Sequence, residues 1–188
     1  MSTLTSLPNL LTLLRILLIP IFVIVFYLPF SWAHAATAII FAIACLTDLL
    51  DGYLARKLKQ ISIFGAFLDP VADKLIVATS LLLLVGVRDL NYITLPAIII
   101  VGREIVISAL REWMSEVGKR TSVTVSYIGK VKTTMQMVAI ILLLAFHPVT
   151  SSWWGILGFI LLYIAAILTI WSMVIYIVIA WPVLIKKS

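Results

Sequence analysis

Charge is what this chain has least of. Of its 188 residues only 12% are charged, against 63% hydrophobic, where a soluble domain carries roughly a quarter charged residues. Mean hydropathy is +1.20, so the chain holds more apolar surface than one water-facing core can bury. A soluble globular domain is excluded, and the pattern is that of a polytopic membrane protein. Cysteine is nearly absent as well. The lone Cys45 excludes an intrachain disulfide and, in its apolar run, reads as a small buried hydrophobe. Internal repeats and low-complexity tracts are lacking, which excludes a repeat architecture. No basic segment precedes the first apolar run, so that run is not a cleaved signal peptide.

Apolar runs of about 20 residues cross a bilayer. They are expected here at 10–29, 33–56, 69–87, 92–113, 131–147 and 153–182. The expectation is a single all-α integral membrane domain over 1–188, with six transmembrane helices. Residues 1–9 would form a short interfacial segment entering at Pro8. Six spans put both termini on one side. That side carries Arg56, Lys57, Lys59, Arg111, Lys119, Arg120, Lys130, Lys132, Lys186 and Lys187, whereas the other offers Arg88, His34 and His147. The positive-inside rule then makes both termini cytoplasmic. Tyr27, Trp32, Tyr92, Trp153 and Trp154 suit an outer aromatic belt, with Trp113 and Trp181 near the inner one. The net charge of +6 is accounted for by topology and anionic ligands, and no nucleic-acid partner is expected.

Ionisable groups inside spans are costly and need a reason. Asp48 lies eight residues before Arg56, about 12 Å down a helix. Asp51 follows at i+3, and Asp69 and Asp73 are spaced i, i+4, so each pair shares a helix face. Asp69-Pro70 would also serve as an ordinary helix start, and Asp51 with Arg56 as a simple ion pair; Asp48 has no such alternative. Four carboxylates in one low-dielectric place repel unless protonated or neutralised by cations. Two divalent ions would balance them, and hard oxygen ligands suit Mg²⁺ or Mn²⁺ rather than zinc. Such a pair, about 3.5–4 Å apart, can clamp a pyrophosphate during in-line displacement.

Residues 48–73 read DLLDGYLARKLKQISIFGAFLDPVAD. They match, with no departure, the pattern D-x2-D-G-x2-A-R-x8-G-x3-D-x3-D. This resembles the signature of the CDP-alcohol phosphotransferases. Physical reasons accompany each position. Gly52 removes a side chain beside Asp51, so that a nucleotide can approach the backbone, or else it packs helices. Ala55 keeps that face shallow. Arg56 reaches a diphosphate with a planar, always-charged fork, or anchors the span. Gly65 lies in the expected polar connection and permits a turn, with Ser62 as a hydroxyl contact there.

The segments PNLLTLLR (8–15), GREIVISALREWM (102–114) and GKVKTTMQM (129–137) resemble the bacterial branch of that family that uses glycerol 3-phosphate. The resemblance implies CDP-diacylglycerol and sn-glycerol 3-phosphate as substrates, with phosphatidylglycerophosphate and CMP as products. It further implies Asp48, Asp51, Asp69 and Asp73 as ligands of two divalent cations, and Asp73 also as the base. Gly52, Ala55, Arg56, Gly65, Ser62, Asn9 and Thr12 would border the CDP-lipid; Asn9 and Thr12 serve equally as helix-entry residues.

An acceptor bearing a phosphate calls for a basic subsite. Arg103, Arg111, Lys130, Lys132 and Lys59 are the candidates. Arg103, expected mid-span, requires a wet cavity or a partner such as Glu104. Arg15 either snorkels from the first span or joins this subsite. The family resemblance also implies a homodimer in the bacterial inner membrane, its site facing the cytosol. Other acceptors (inositol phosphate, or the lipid acceptor of cardiolipin synthesis) remain open. So does a divalent-cation transporter, which would distribute acids along a crossing path and would not need the Gly-Ala-Arg spacing.

Overall fold

The computed structural model describes residues 7–58, 63–87, 92–116, 127–146 and 152–185; within them, the side chains of 51–58, 127–130 and 182–185, among others, lie outside the description. The described residues form six helices: α1 (Leu7–Phe26), α2 (Ala33–Leu58), α3 (Ile63–Val85), α4 (Thr94–Glu116), α5 (Tyr127–Ala145) and α6 (Trp153–Ile185). The long apolar runs dictate this. In lipid every backbone N–H and C=O must be satisfied within the segment, and a helix does that.

The helices extend past the apolar runs at one end of the bundle. Most consequential is α3, which starts at Ile63 rather than at Asp69. Asp69 is therefore no N-cap: Pro70 sits inside the helix, where it removes one ladder hydrogen bond. Gly65 likewise belongs to α3 and is buried, not part of a connection. Pro8 and Asn9, expected in an interfacial segment, already lie in the first turn of α1, a position proline tolerates. Residues 1–6 lie outside the described residues.

Contacts fix the directions. Going up α1 from Arg15 to Phe22 goes down α2, from Asp48 to Phe41, so these two run antiparallel. Gly158 against Leu142 and Trp154 against Phe146 set α6 antiparallel to α5. Tyr163 to the Tyr92 carbonyl and Arg111 to Tyr176 make α4 and α6 parallel. The main interfaces are α5–α6, α1–α2, α2–α5, α1–α3 and α4–α6. Small residues let the backbones approach: Ala38, Ala44, Ala139 and Ala166 lie in the core with Phe22, Phe41, Leu81 and Leu143.

The radial pattern is inside-out relative to a water-soluble protein. Arg15, Thr37, Ser80, Lys132, Gln136 and Thr169 are buried, while Leu17, Ile24, Leu82, Ile98, Ile105 and Val178 face outward. Water would penalise such a surface; lipid does not. Three buried hydroxyls are satisfied within their own helices, Thr37 by the Ala33 carbonyl at 2.7 Å, Ser80 by Val77 at 2.8 Å and Thr169 by Ala165 at 2.6 Å. Among the described residues, two helices are long and apolar enough by themselves to cross a membrane, over Asn9–Phe26 and Trp153–Val178. The protein belongs in a membrane. Tyr27, Phe30, Trp32, Tyr92, Trp153 and Trp154 are all exposed, gathered where α1, α3 and α5 end and α2, α4 and α6 begin.

Candidate active site

The opposite end of the bundle holds the buried charges. On α1, Asn9, Thr12 and Arg15 follow one another at helical spacing and are buried, so they line one face. Thr12 donates a hydrogen bond through Oγ1 to Oδ1 of Asp69. Arg15, with no exposed surface, places Nη1 2.8 Å from Oδ1 of Asp48, whose side chain is 29% exposed. One turn of α1 thus ties together the aspartates of α2 and α3. Asp73 follows Asp69 by one turn of α3, and the charges acting on it include those of Asp48, Arg15, Glu104 and Lys74.

A second charged group is built on α4, α5 and α6, with Glu104 at its centre. Arg103 Nη1 is 2.7 Å from Glu104 Oε1, and Lys132 Nζ reaches the same oxygen at 3.7 Å. Arg103 Nη2 donates to Ser172 Oγ at 3.4 Å. Arg111 donates to the Tyr176 hydroxyl at 3.0 Å, and the Arg103 and Arg111 guanidinium carbons lie 5.8 and 5.3 Å from the Tyr176 ring centroid. Both cations thus lie near an aromatic ring whose π-electrons attract them.

Lys74 joins the two groups. It donates to Ser108 Oγ, and Ser108 donates to the Glu104 carbonyl at 2.7 Å. Beside this chain of contacts a cavity of about 390 Å³ opens between α3 and α4, lined by Lys74, Ala78, Ile100, Glu104, Ile105 and Ser108. A charged cleft next to an apolar groove has the polarity of a polar-headed lipid.

The structure brings Asp48, Asp69, Thr12 and Arg15 together, and Arg103, Arg111 and Lys132 together. Arg15 stands with the aspartates, not with the basic group. Asp51, Gly52, Ala55 and Arg56 lie on α2, and Lys130 on α5, but their side chains are outside the described residues, as are Lys59 and Ser62 altogether. Among the described residues no three acids, histidines or cysteines stand close enough to hold one metal ion; Asp51 is not among them. The donor chemistry nevertheless fits a hard divalent cation. Each carboxylate offers two oxygens and about four lone-pair sites, so single contacts from Arg15 and Thr12 leave Asp48 and Asp69 with capacity to spare.

Sequence reasoning missed Lys74, Ser108, Gln136, Ser172 and Tyr176. A charge inside a span was signal enough for Lys74. The others carry no periodic or motif signal, since hydroxyls, amides and phenols are common in helices.

Known proteins resemble this chain over most of its length. A relative from Pseudomonas fluorescens, a CDP-diacylglycerol–glycerol-3-phosphate 3-phosphatidyltransferase, is 53% identical over 178 residues, 94% of this chain and 91% of its own. Proteins of the same name from Salmonella paratyphi A and Shigella flexneri serotype 5b are 55% and 54% identical over 171 residues, 91% of this chain and 92% of theirs. The CDP-alcohol phosphatidyltransferase profile matches residues 5–183, nearly the whole chain, and the protein belongs to that family.

Proposed function

We propose that this enzyme transfers the phosphatidyl group of CDP-diacylglycerol to sn-glycerol 3-phosphate, forming phosphatidylglycerophosphate and releasing CMP. The observation that carries the reading is the pairing of two unlike groups at one end of the bundle. Asp48 and Asp69 are tied to α1, with Asp73 one turn beyond Asp69 on α3, and Arg103, Arg111 and Lys132 gather around Glu104 and Tyr176. A diphosphate donor with its cations suits the first; an acceptor phosphate suits the second.

Asp48, Asp51, Asp69 and Asp73 would hold two divalent cations, Mg²⁺ or Mn²⁺, which when bound neutralise the diphosphate and the departing CMP. Arg15 and Thr12 orient two of these carboxylates. Gly52, Ala55, Arg56, Gly65, Ser62 and Asn9 complete the donor pocket. Arg103 and Lys132, with Arg111, Lys130 and Lys59 on the approach, hold the acceptor phosphate; a guanidinium–phosphate contact is charge-assisted and directional. Asp73 takes the proton of the acceptor's primary hydroxyl as that oxygen attacks the lipid-linked phosphorus. No covalent enzyme intermediate is needed. The chain spans the bacterial inner membrane six times as a homodimer, site and termini on the cytosolic side, so that a soluble and a lipid substrate can meet.

Purified protein in detergent, given CDP-diacylglycerol and a panel of acceptors, is expected to release CMP with glycerol 3-phosphate and far less with glycerol or inositol phosphate. EDTA should abolish turnover and Mg²⁺ or Mn²⁺ restore it. A better rate with inositol phosphate would overturn the acceptor, and full activity after rigorous chelation would overturn the metals.

A further inference from the structure

We propose that Gln136 is a specificity residue that accepts a hydrogen bond from the secondary hydroxyl of the acceptor, so that the site reads a phosphorylated three-carbon diol of one hand. The inference rests on the proposed reaction and deepens it. Gln136 lies on α5 one turn beyond Lys132, on the same face, and is only 4% exposed. Its side-chain oxygen Oε1 is buried and accepts no hydrogen bond. Buried polar atoms are nearly always paired, because an unpaired one forfeits its hydration for nothing.

A buried atom of opposite kind lies in the same charged group. Nε of Arg103, a donor, is also without a hydrogen-bond partner, although Nη1 and Nη2 are engaged by Glu104 and Ser172. Through its contact with Glu104, Lys132, one turn before Gln136, belongs to the same charged group as Arg103. A ligand that satisfies both atoms must present an acceptor to Arg103 and a hydroxyl donor to Gln136. A glycerol phosphate does so. Its phosphate oxygens accept from Arg103 and Lys132, and its primary hydroxyl is committed to Asp73. The secondary hydroxyl remains.

Glu104 Oε1 already takes both Arg103 and Lys132 and the Tyr176 hydroxyl takes Arg111, whereas Gln136 Oε1 takes no donor. Contact with phosphate, reacting hydroxyl and secondary hydroxyl together makes three points of attachment, enough to distinguish sn-glycerol 3-phosphate from its mirror image.

The test measures CMP release from CDP-diacylglycerol with three acceptors: sn-glycerol 3-phosphate, its enantiomer, and 3-hydroxypropyl phosphate, which lacks the secondary hydroxyl. Wild type should favour the first. Gln136→Leu removes the acceptor atom at similar volume, and Gln136→Met does so with a more adaptable side chain should the first variant fold poorly. Both are expected to raise the glycerol 3-phosphate KM about 3–10-fold, the size of one lost hydrogen bond. They should leave 3-hydroxypropyl phosphate and CDP-diacylglycerol within twofold of wild type, and so narrow the preference for the natural acceptor and its hand. Equal losses toward all three acceptors, or undiminished discrimination in either variant, would overturn the role of Gln136 alone. No turnover of glycerol 3-phosphate by wild type would overturn the reaction and this inference with it.

Discussion

Arg15 shows how a single residue holds two helices and a site together. It has no exposed surface, and its charge is answered by Asp48 on α2. A buried pair is of little net benefit against apolar substitutes, but removing one member strands the other charge, at a cost of about 3 kcal/mol or more where burial is deep. Asp48 keeps some exposure, so Arg15→Met is expected to cost somewhat less, roughly 2 kcal/mol, read as a lower melting temperature in detergent. Arg15→Lys should recover part of it. An unchanged melting temperature in Arg15→Met would contradict the pairing. Asp73 is the contrasting case, since its role is chemical. Asp73→Asn should leave folded, membrane-inserted protein but lower turnover at least 10²–10⁴-fold, about the worth of a general base. A variant retaining a third of the wild-type rate would remove Asp73 from that role.

At the scale of helices, α5 and α6 pack closely at Gly158. A Cβ added at Gly158 would lie 2.9 Å from Leu142 Cβ and 3.2 Å from the Ala139 carbonyl oxygen. Neither is the flexible end of a side chain, so the helices must part. Gly158→Ala is expected to cost about 1–3 kcal/mol, as overpacking does, and Gly158→Leu to abolish folded protein in size-exclusion profiles. Gly102 offers the internal control, because a Cβ there meets nothing within 4 Å. Gly102→Ala should be neutral or raise stability by up to about 1 kcal/mol through helix propensity. If both alanine variants melt alike, the α5–α6 contact is not as close as described.

Across the whole molecule, polarity is divided along the bundle axis. Charges gather where α1, α3 and α5 begin, and Tyr27, Phe30, Trp32, Tyr92, Trp153 and Trp154 are exposed at the far end. A cation transporter would need acids along a crossing path; among the described residues the acids instead lie toward one end. The division also sets up a topology experiment. In a Cys45→Ser background, single cysteines at Glu116 and Ser152, at opposite ends of the bundle, should react with an impermeant thiol reagent from opposite sides of sealed vesicles. Labelling of both from one side would break the six-span arrangement.

The amino-acid sequence by itself determined the solvent, the number of helices and the family, because lipid imposes length and polarity on every span and the aspartate signature has fixed spacing. It also marked Arg103 and Glu104 as partners, since a charge placed in a span needs one nearby. It misplaced the start of α3, because Asp-Pro carries a strong local cap signal that tertiary packing overrode: the helix begins at Ile63 and leaves Asp69 to meet Thr12. Only the tertiary structure decided that Arg15 belongs with Asp48 rather than with the basic group, that Lys74 and Ser108 connect the two halves of the site, and that Gln136 has a buried oxygen with no partner. Those facts depend on which faces of distant helices meet. Helical periodicity fixes which residues share a face, but in a chain apolar on nearly every face it leaves the choice of neighbour to packing.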